Sequence, residues 1–270
     1  MEIYNSSMVT NVVRAGDSIG VEAALISTDE EAVARICCGV RDLVVESGGY
    51  EIFRSPEYES GFGDLSALAG TQAYLGNGAA IRKALSDCVP IVQELVFECV
   101  RAVVQAETFF ITERGYADND AYDRFWEETY SGSCLLYEKP NHAETWMGYV
   151  GNHERRRNLN NRVQNVSVFK DEAGYKVSAA FIESFHEISI CLSAGLDGIV
   201  NGASAGFIRA PGEICKQTAE LISGLDGLPL PELSKKEIAG IVGGCAGCTH
   251  LTDLAFRASS ILSRCILSWS

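Results

Sequence analysis

A stretch near the start of the chain returns near its middle. Gly20-Val21-Glu22-Ala23-Ala24-Leu25-Ile26 aligns with Lys176-Val177-Ser178-Ala179-Ala180-Phe181-Ile182, with four identities and one apolar exchange. Without a gap, Glu31 then falls on Glu187 and Gly39 on Gly195. After a slip of one residue, Asp42 meets Asp197, Val45 meets Val200, Arg54 meets Arg209 and Pro56 meets Pro211. Ser66–Gly70 matches Ser223–Gly227, Ile81 meets Ile238, and Glu98-Cys99-Val100-Arg101 lies opposite Gly247-Cys248-Thr249-His250. Composition produces isolated matches, not an ordered series, so the chain reads as an internal duplication.

Each copy opens with β-rich stretches, 19–27 and 32–54 in the first, 175–183 and 187–209 in the second. Ile188, Ile190 and Leu192 alternate with Ser189, Cys191 and Ser193, the period of a half-buried strand. Gly195–Gly198 supplies a hairpin turn, as Gly39–Asp42 does in the first copy. Pro56 and Pro211 mark a change of path after the strands. Helices are expected near 212–224 and 234–243, the latter opened by a Ser234/Glu237 capping box. A last helix starts near Cys248, and its counterpart runs from about Ile91 to Phe110. Strands followed by helices predict an α+β fold: two pseudo-symmetric repeats, each an antiparallel sheet with helices on one face. The expected divisions are 1–114, an aromatic-rich and mostly helical insertion at 115–165, and 166–270.

The net charge of −14 argues against nucleic acid, which needs clustered Lys and Arg to release counterions. Arg155-Arg156-Arg157, beside Glu154, reads as a solvated turn. No apolar run reaches the roughly 18 residues that span a bilayer, and the start lacks the pattern of a signal peptide. The expectation is a cytoplasmic protein with no membrane partner. Ten cysteines in that setting point to metal or redox use wherever they cluster. Cys37, Cys38, Cys88, Cys191 and Cys265 fall in apolar stretches and read as small core residues.

The cluster is Gly243-Gly244-Cys245-Ala246-Gly247-Cys248-Thr249-His250. A Cys-x-x-Cys-x-His spacing places two thiolates and an imidazole within reach of one ion, and the glycines let the backbone close around it. Thiolates just before a helix see its positive end, which favours the metal-binding form. A zinc ribbon needs a second Cys-x-x-Cys, which is lacking, and Thr249 interrupts the haem-attachment pattern. Close packing of the glycines around a buried Cys245, or thiol chemistry without metal, are the competing readings. His186, at the start of a strand, and Cys215, just after Pro211, join the candidate set through the repeat.

Those three positions carry a resemblance. The 175–260 stretch resembles the scaffold proteins on which iron–sulfur clusters are assembled, where a cysteine opens a strand, a second follows the strand pair and a third opens the last helix. The matching positions here are His186, Cys215 and Cys248, so histidine replaces the first cysteine. That exchange suits a stably held zinc or iron centre at least as well as a scaffold. The first repeat offers Glu30, Cys99 and a cysteine-free region near Ser60, the remnant of a lost site. The whole chain is also similar to an uncharacterised bacterial domain family ending in Gly-Cys-Thr-His-Leu, here Gly247 to Leu251.

The resemblance implies a metal- or iron–sulfur-cluster-binding protein with a carrier, assembly or redox role. Its ligands come from His186, Cys215, Cys248, Cys245 and His250, around an iron–sulfur cluster or a single zinc or iron ion. An alternative is a metal- or cysteine-dependent enzyme for a small anionic metabolite, with Glu187 as base and Arg209 as anion binder. A further alternative is a structural subunit of a larger complex. A protein partner or small-molecule substrate fits either of the first two, and the chain is a monomer or a homodimer.

Overall fold

The computed structural model describes residues 1–138, 145–151 and 153–268. It is a mixed structure with a large antiparallel sheet. The strands are β1 (Glu2–Ala15), β2 (Ser18–Ser27), β3 (Glu31–Gly39), β4 (Val45–Arg54), β5 (Gly61–Asp64), β6 (Asn158–Asp171), β7 (Gly174–Glu183), β8 (Glu187–Ala194) and β9 (Val200–Arg209). The helices are α1 (Gly78–Ala84), α2 (Pro90–Ala106), α3 (Asn119–Tyr130), α4 (Trp146–Val150), α5 (Glu213–Gln217), α6 (Lys235–Val242) and α7 (Thr249–Ser268). Among the described residues no helix is long and apolar enough to cross a membrane.

Two compact units emerge. The N-terminal unit holds Ser7–Tyr122 and Asn152–Val163, and the C-terminal unit holds Met1–Ser6, Asp123–Gly151 and Gln164–Ser270. Strands β1 and β6 each contribute to both units.

In the N-terminal unit the strands follow the order β5-β4-β3-β2-β1. Helix α2 packs across β2 and β3 through Leu95, Val96, Cys99, Ala102 and Val103, spaced for one helical face. Pro90 occupies its first turn, where no backbone N–H is needed. Cys99 lies two and a half turns into the helix, about nine residues on, with its thiol directed at the carbonyls of Val21 and Ala34. It therefore does not occupy the helix-opening position that the alignment with Cys248 implied. Burial pushes the Cys38 thiol up to about 12 and raises that of Cys99 further, from an ordinary 9.0. Both thiols are neutral in the fold and ionise more readily when unfolded. Stability should hold below pH 9 and fall above it as the unfolded thiols ionise. Urea titrations across that range test the slope, which Cys99→Ala should flatten.

In the C-terminal unit the order is β6-β7-β8-β9. Tyr175, Val177, Ala179 and Phe181 of β7 and Ile188, Ile190 and Leu192 of β8 point into the core, where Leu251, Leu254, Ala255, Ala258 and Leu262 of α7 meet them. Cys265 is buried in this core as expected, whereas Cys191 is exposed on the other face of β8. The capping box forms as read: the Ser234 hydroxyl accepts the Glu237 N–H, and the Glu237 carboxylate takes the Ser234 N–H. The region expected as a helix at 212–224 is α5 followed by a tighter 3-10 run, Thr218–Leu225.

The strands of the two units match in length: 14, 10, 9 and 10 residues for β1–β4, and 14, 10, 8 and 10 for β6–β9. Glu31 pairs with Arg54 as Glu187 pairs with Arg209, each followed by a register shift. The one-residue slip of the alignment falls in the turn between these strands. There Asp42 and Asp197 each accept an N–H two residues on, and the next position takes a left-handed φ, 57° at Leu43 and 78° at Gly198.

The segment at 115–165 is only partly helical. Helices α3 and α4 fall in it, but Asn158–Val163 belongs to β6, and positions 139–144 and 152 lie outside the described residues. Strands β1 and β6 escape an apolar-periodicity reading because their inward positions include Ser6, Thr10, Asn160, Arg162 and Gln164. Helices supply partners for this polar stripe: Glu98 of α2 faces Arg162 at 3.1 Å, and Arg257 of α7 donates to the Ser6 hydroxyl at 3.1 Å.

Candidate functional site

The first turn of α7 organises the site. Cys248 stands one residue before the helix, with its N–H on the Val242 carbonyl at 2.8 Å and its carbonyl accepting the N–H and hydroxyl of Thr252. Its thiol accepts the N–H groups of His250 and Leu251, so the residue caps the helix with sulfur. These bonds lower the thiol pKa, as expected for a helix start, but burial outweighs them and pushes it up to about 12.

Two further thiols gather beside it. Cys215 lies in α5, buried, with its pKa pushed up to about 11 by desolvation against backbone hydrogen bonds that lower it. Cys134 opens the 3-10 turn Leu135–Tyr137, where its sulfur accepts the N–H groups of Tyr137 and Leu136; burial raises its pKa. This turn packs against α5 and against the 3-10 turn Gly244–Ala246. The Leu135 N–H donates to the Gly247 carbonyl at 2.9 Å, tying Cys134 to the residue before Cys248. The negative forms of Cys134 and Cys215 each disfavour ionisation of Cys248, so the three sulfurs share one electrostatic neighbourhood.

The imidazoles form a second group on the other side of that turn. His186 is buried at the entrance to β8, and its Nδ1 meets Oε1 of Glu183, itself buried at the end of β7. This contact engages Nδ1 and leaves Nε2 as the ring nitrogen that can offer an electron pair. The His186 ring lies 4.1 Å from the His250 ring, which stacks on Phe181 at 5.1 Å. Cys248 and His250 thus face different neighbours, as a two-residue separation entering a helix dictates. Cys245 is exposed on its 3-10 turn, outside both groups.

Glu187 and Arg209 are cross-strand partners 3.9 Å apart, and Arg209 also donates to the Glu183 carbonyl at 2.8 Å. Arg54 makes the equivalent bonds to the carbonyls of Ser27 and Thr28. Both arginines therefore brace the turn that precedes their partner strand. In the N-terminal unit Glu30 is a buried carboxyl beside the Ser55 hydroxyl, and the Ser60 hydroxyl bonds the Phe53 carbonyl.

Sequence reasoning missed Cys134, because its sequence neighbours Gly132 and Ser133 announce only a turn. A Cβ on Gly247 would press into the carbonyl oxygens of Val242 and Gly243. Gly247→Ala should cost about 1–3 kcal/mol, the range for overpacking, and should loosen the Leu135 tether. Thermal melting reads the first effect, and amide exchange at Leu135 reads the second.

Among the described residues, no three His, Cys, Asp or Glu side chains converge on a single point as ligands. The thiols are gathered but not aimed at one centre.

Residues 154–263 match a family model described as a protein of unknown function, DUF2889. The match takes in His186, Cys215, Cys245, Cys248 and His250 and leaves Cys134 outside. The chain matches no curated protein and no solved structure.

Proposed function

We propose that the C-terminal unit binds a thiophilic centre, a zinc or iron ion or an iron–sulfur cluster, and serves as its carrier, assembly site or redox module. One observation carries this reading: three thiols from three separate elements, Cys215 and Cys248 buried and Cys134 half-buried, lie in one electrostatic neighbourhood at the start of α7, each accepting backbone N–H groups. Core cysteines behave as isolated small hydrophobes, whereas Cys134 disfavours ionisation of Cys215 and both disfavour that of Cys248, so their proximity brings no gain to the thiols alone. A bound cation reverses that balance, because it draws the thiolate form and is neutralised by it.

The Glu183–His186 pair adds to this support. A carboxylate on one ring nitrogen fixes the tautomer and raises the basicity of the other, the arrangement that accompanies metal-ligating histidines. Cys215 and Cys248 also occupy the second and third positions of the iron–sulfur scaffold pattern, with His186 at the first. Strand lengths that agree to within one residue, matched register shifts and the paired Arg54 and Arg209 support descent of both units from one ancestral repeat, with the site kept in one.

The test is anaerobic purification followed by measurement of zinc, iron and acid-labile sulfide per chain, with a visible spectrum. Near-stoichiometric zinc, or iron with sulfide and broad absorption, supports the proposal and separates its two forms. Protein that carries neither metal after anaerobic purification, and takes up neither on reconstitution, removes it.

A further inference from the structure

We infer that the free edge of β9 pairs with the β9 of a second copy of this chain, extending the C-terminal unit's sheet into an antiparallel dimer. The comparison that leads there is internal. In the N-terminal unit the chain leaving β4 turns back as β5, and Gly61–Asp64 pairs with Gly49–Ile52. In the C-terminal unit the chain leaving β9 passes Pro211 and enters α5. By their common pairing with the preceding strand, Ser204–Phe207 correspond to Gly49–Ile52. Among the described residues no strand covers them, and β9 is the last strand in its order.

Only the start of this edge is occupied, where Val200 exchanges hydrogen bonds with Leu228 and Gly227. From Asn201 to Ile208 the outer row of backbone N–H and C=O groups has no partner among the described residues. Proteins blunt such edges with charge, proline, a bulge or a very short strand. The stretch Val200–Ile208 contains no charged residue and no proline. The two register shifts of the β8 ladder fall at Asn201 and Ile208, so they bound the open edge and leave Gly202–Phe207 between them in unbroken register. Ala203, Ser204, Ala205 and Gly206 are too small to hold another backbone away.

Charge selects the occupant. Each chain carries −14, so most surfaces of two copies repel. The β9 edge is neutral along its open length, and antiparallel self-pairing of Asn201–Ile208 brings no carboxylate opposite another. Such a pairing is self-complementary: both β9 edges are satisfied in one closed twofold dimer.

Sedimentation of the full chain over a range of concentrations, with amide exchange at high and low concentration, tests this. The expected result is a monomer–dimer equilibrium with concentration-dependent protection confined to Asn201–Ile208. Ser204 and Ile208 are exposed, so Ser204→Lys with Ile208→Lys should leave the circular dichroism unchanged while placing like charges across the junction. Dimerisation should weaken by ~10-fold or more. A wild-type chain that stays monomeric, or a dimer whose protection lies elsewhere, overturns the inference. A dimer indifferent to the two lysines does so as well. None of these outcomes depends on bound metal.

Discussion

Cys248→Ser, purified anaerobically beside the unaltered protein, is expected to bind metal more weakly by over ~100-fold, beyond the range that loss of an outer-shell partner costs. Serine is a good helix cap, so it can accept the N–H groups that the sulfur holds and leave the start of α7 intact. The variant therefore separates ligation from folding. Cys215→Ser and Cys134→Ser should show the same direction of change, and Cys134 is the more telling because it lies outside the matched family segment. Cys245→Ser should keep full loading, since that thiol is exposed and belongs to neither group. Competitive titration with a chromophoric chelator gives the affinities. Full retention of metal in both Cys248→Ser and Cys215→Ser would sink the proposed centre, and loss confined to Cys245→Ser would move it to the exposed turn.

The largest loss of stability is expected in the N-terminal unit, from Arg114→Met. Glu107 is completely buried at the end of α2. Arg114 holds it at 2.6 Å, the Tyr74 hydroxyl donates a short hydrogen bond, and the Tyr122 hydroxyl lies at 3.3 Å. The guanidinium also stacks on the Tyr74 ring and bonds the Arg41 carbonyl. Methionine fills similar space but leaves a buried carboxylate without its counter-charge, which costs about 3–5 kcal/mol. Glu107→Gln combined with Arg114→Met should recover part of that loss, because the stranded charge is gone. Urea denaturation of the single and double variants measures both. A single-variant loss below about 1 kcal/mol, typical of a surface pair, contradicts the assignment.

The helical and strand elements that a sequence shows best are those whose burial is purely apolar. Strand β8 alternates cleanly, α6 announces itself with Ser234 and Glu237, and α7 repeats its apolar positions at helical spacing; all three appear where expected. Strands β1 and β6 were illegible for the opposite reason. Arg162 and Gln164 look like surface residues until Glu98 is known to meet Arg162 in the fold, and no local pattern encodes a partner so distant in sequence. The candidate site divides in the same way. The spacing of Cys245, Cys248 and His250 proposes one shared centre, but the helix start turns Cys248 and His250 toward different neighbours and leaves Cys245 in solvent. Cys134 enters only through a backbone hydrogen bond from Leu135 to Gly247, a tertiary fact. Burial likewise reversed the direction expected for the Cys248 thiol, because helix geometry is local and desolvation is not.

Because Met1–Ser6 belongs to the C-terminal unit, that unit is built from segments far apart in the sequence. During synthesis the strand residue Ser6 leaves the ribosome long before its partner Arg257. At roughly 5–20 residues per second the delay is on the order of tens of seconds. Through that interval β1 meets first β2 and then β6, and its Ser6 hydroxyl still waits for α7. The unit that holds the thiols therefore closes last, after Cys134, Cys215 and Cys248 have all emerged. A centre loaded during translation would meet the three sulfurs while they are still accessible, before burial has made them reluctant to ionise.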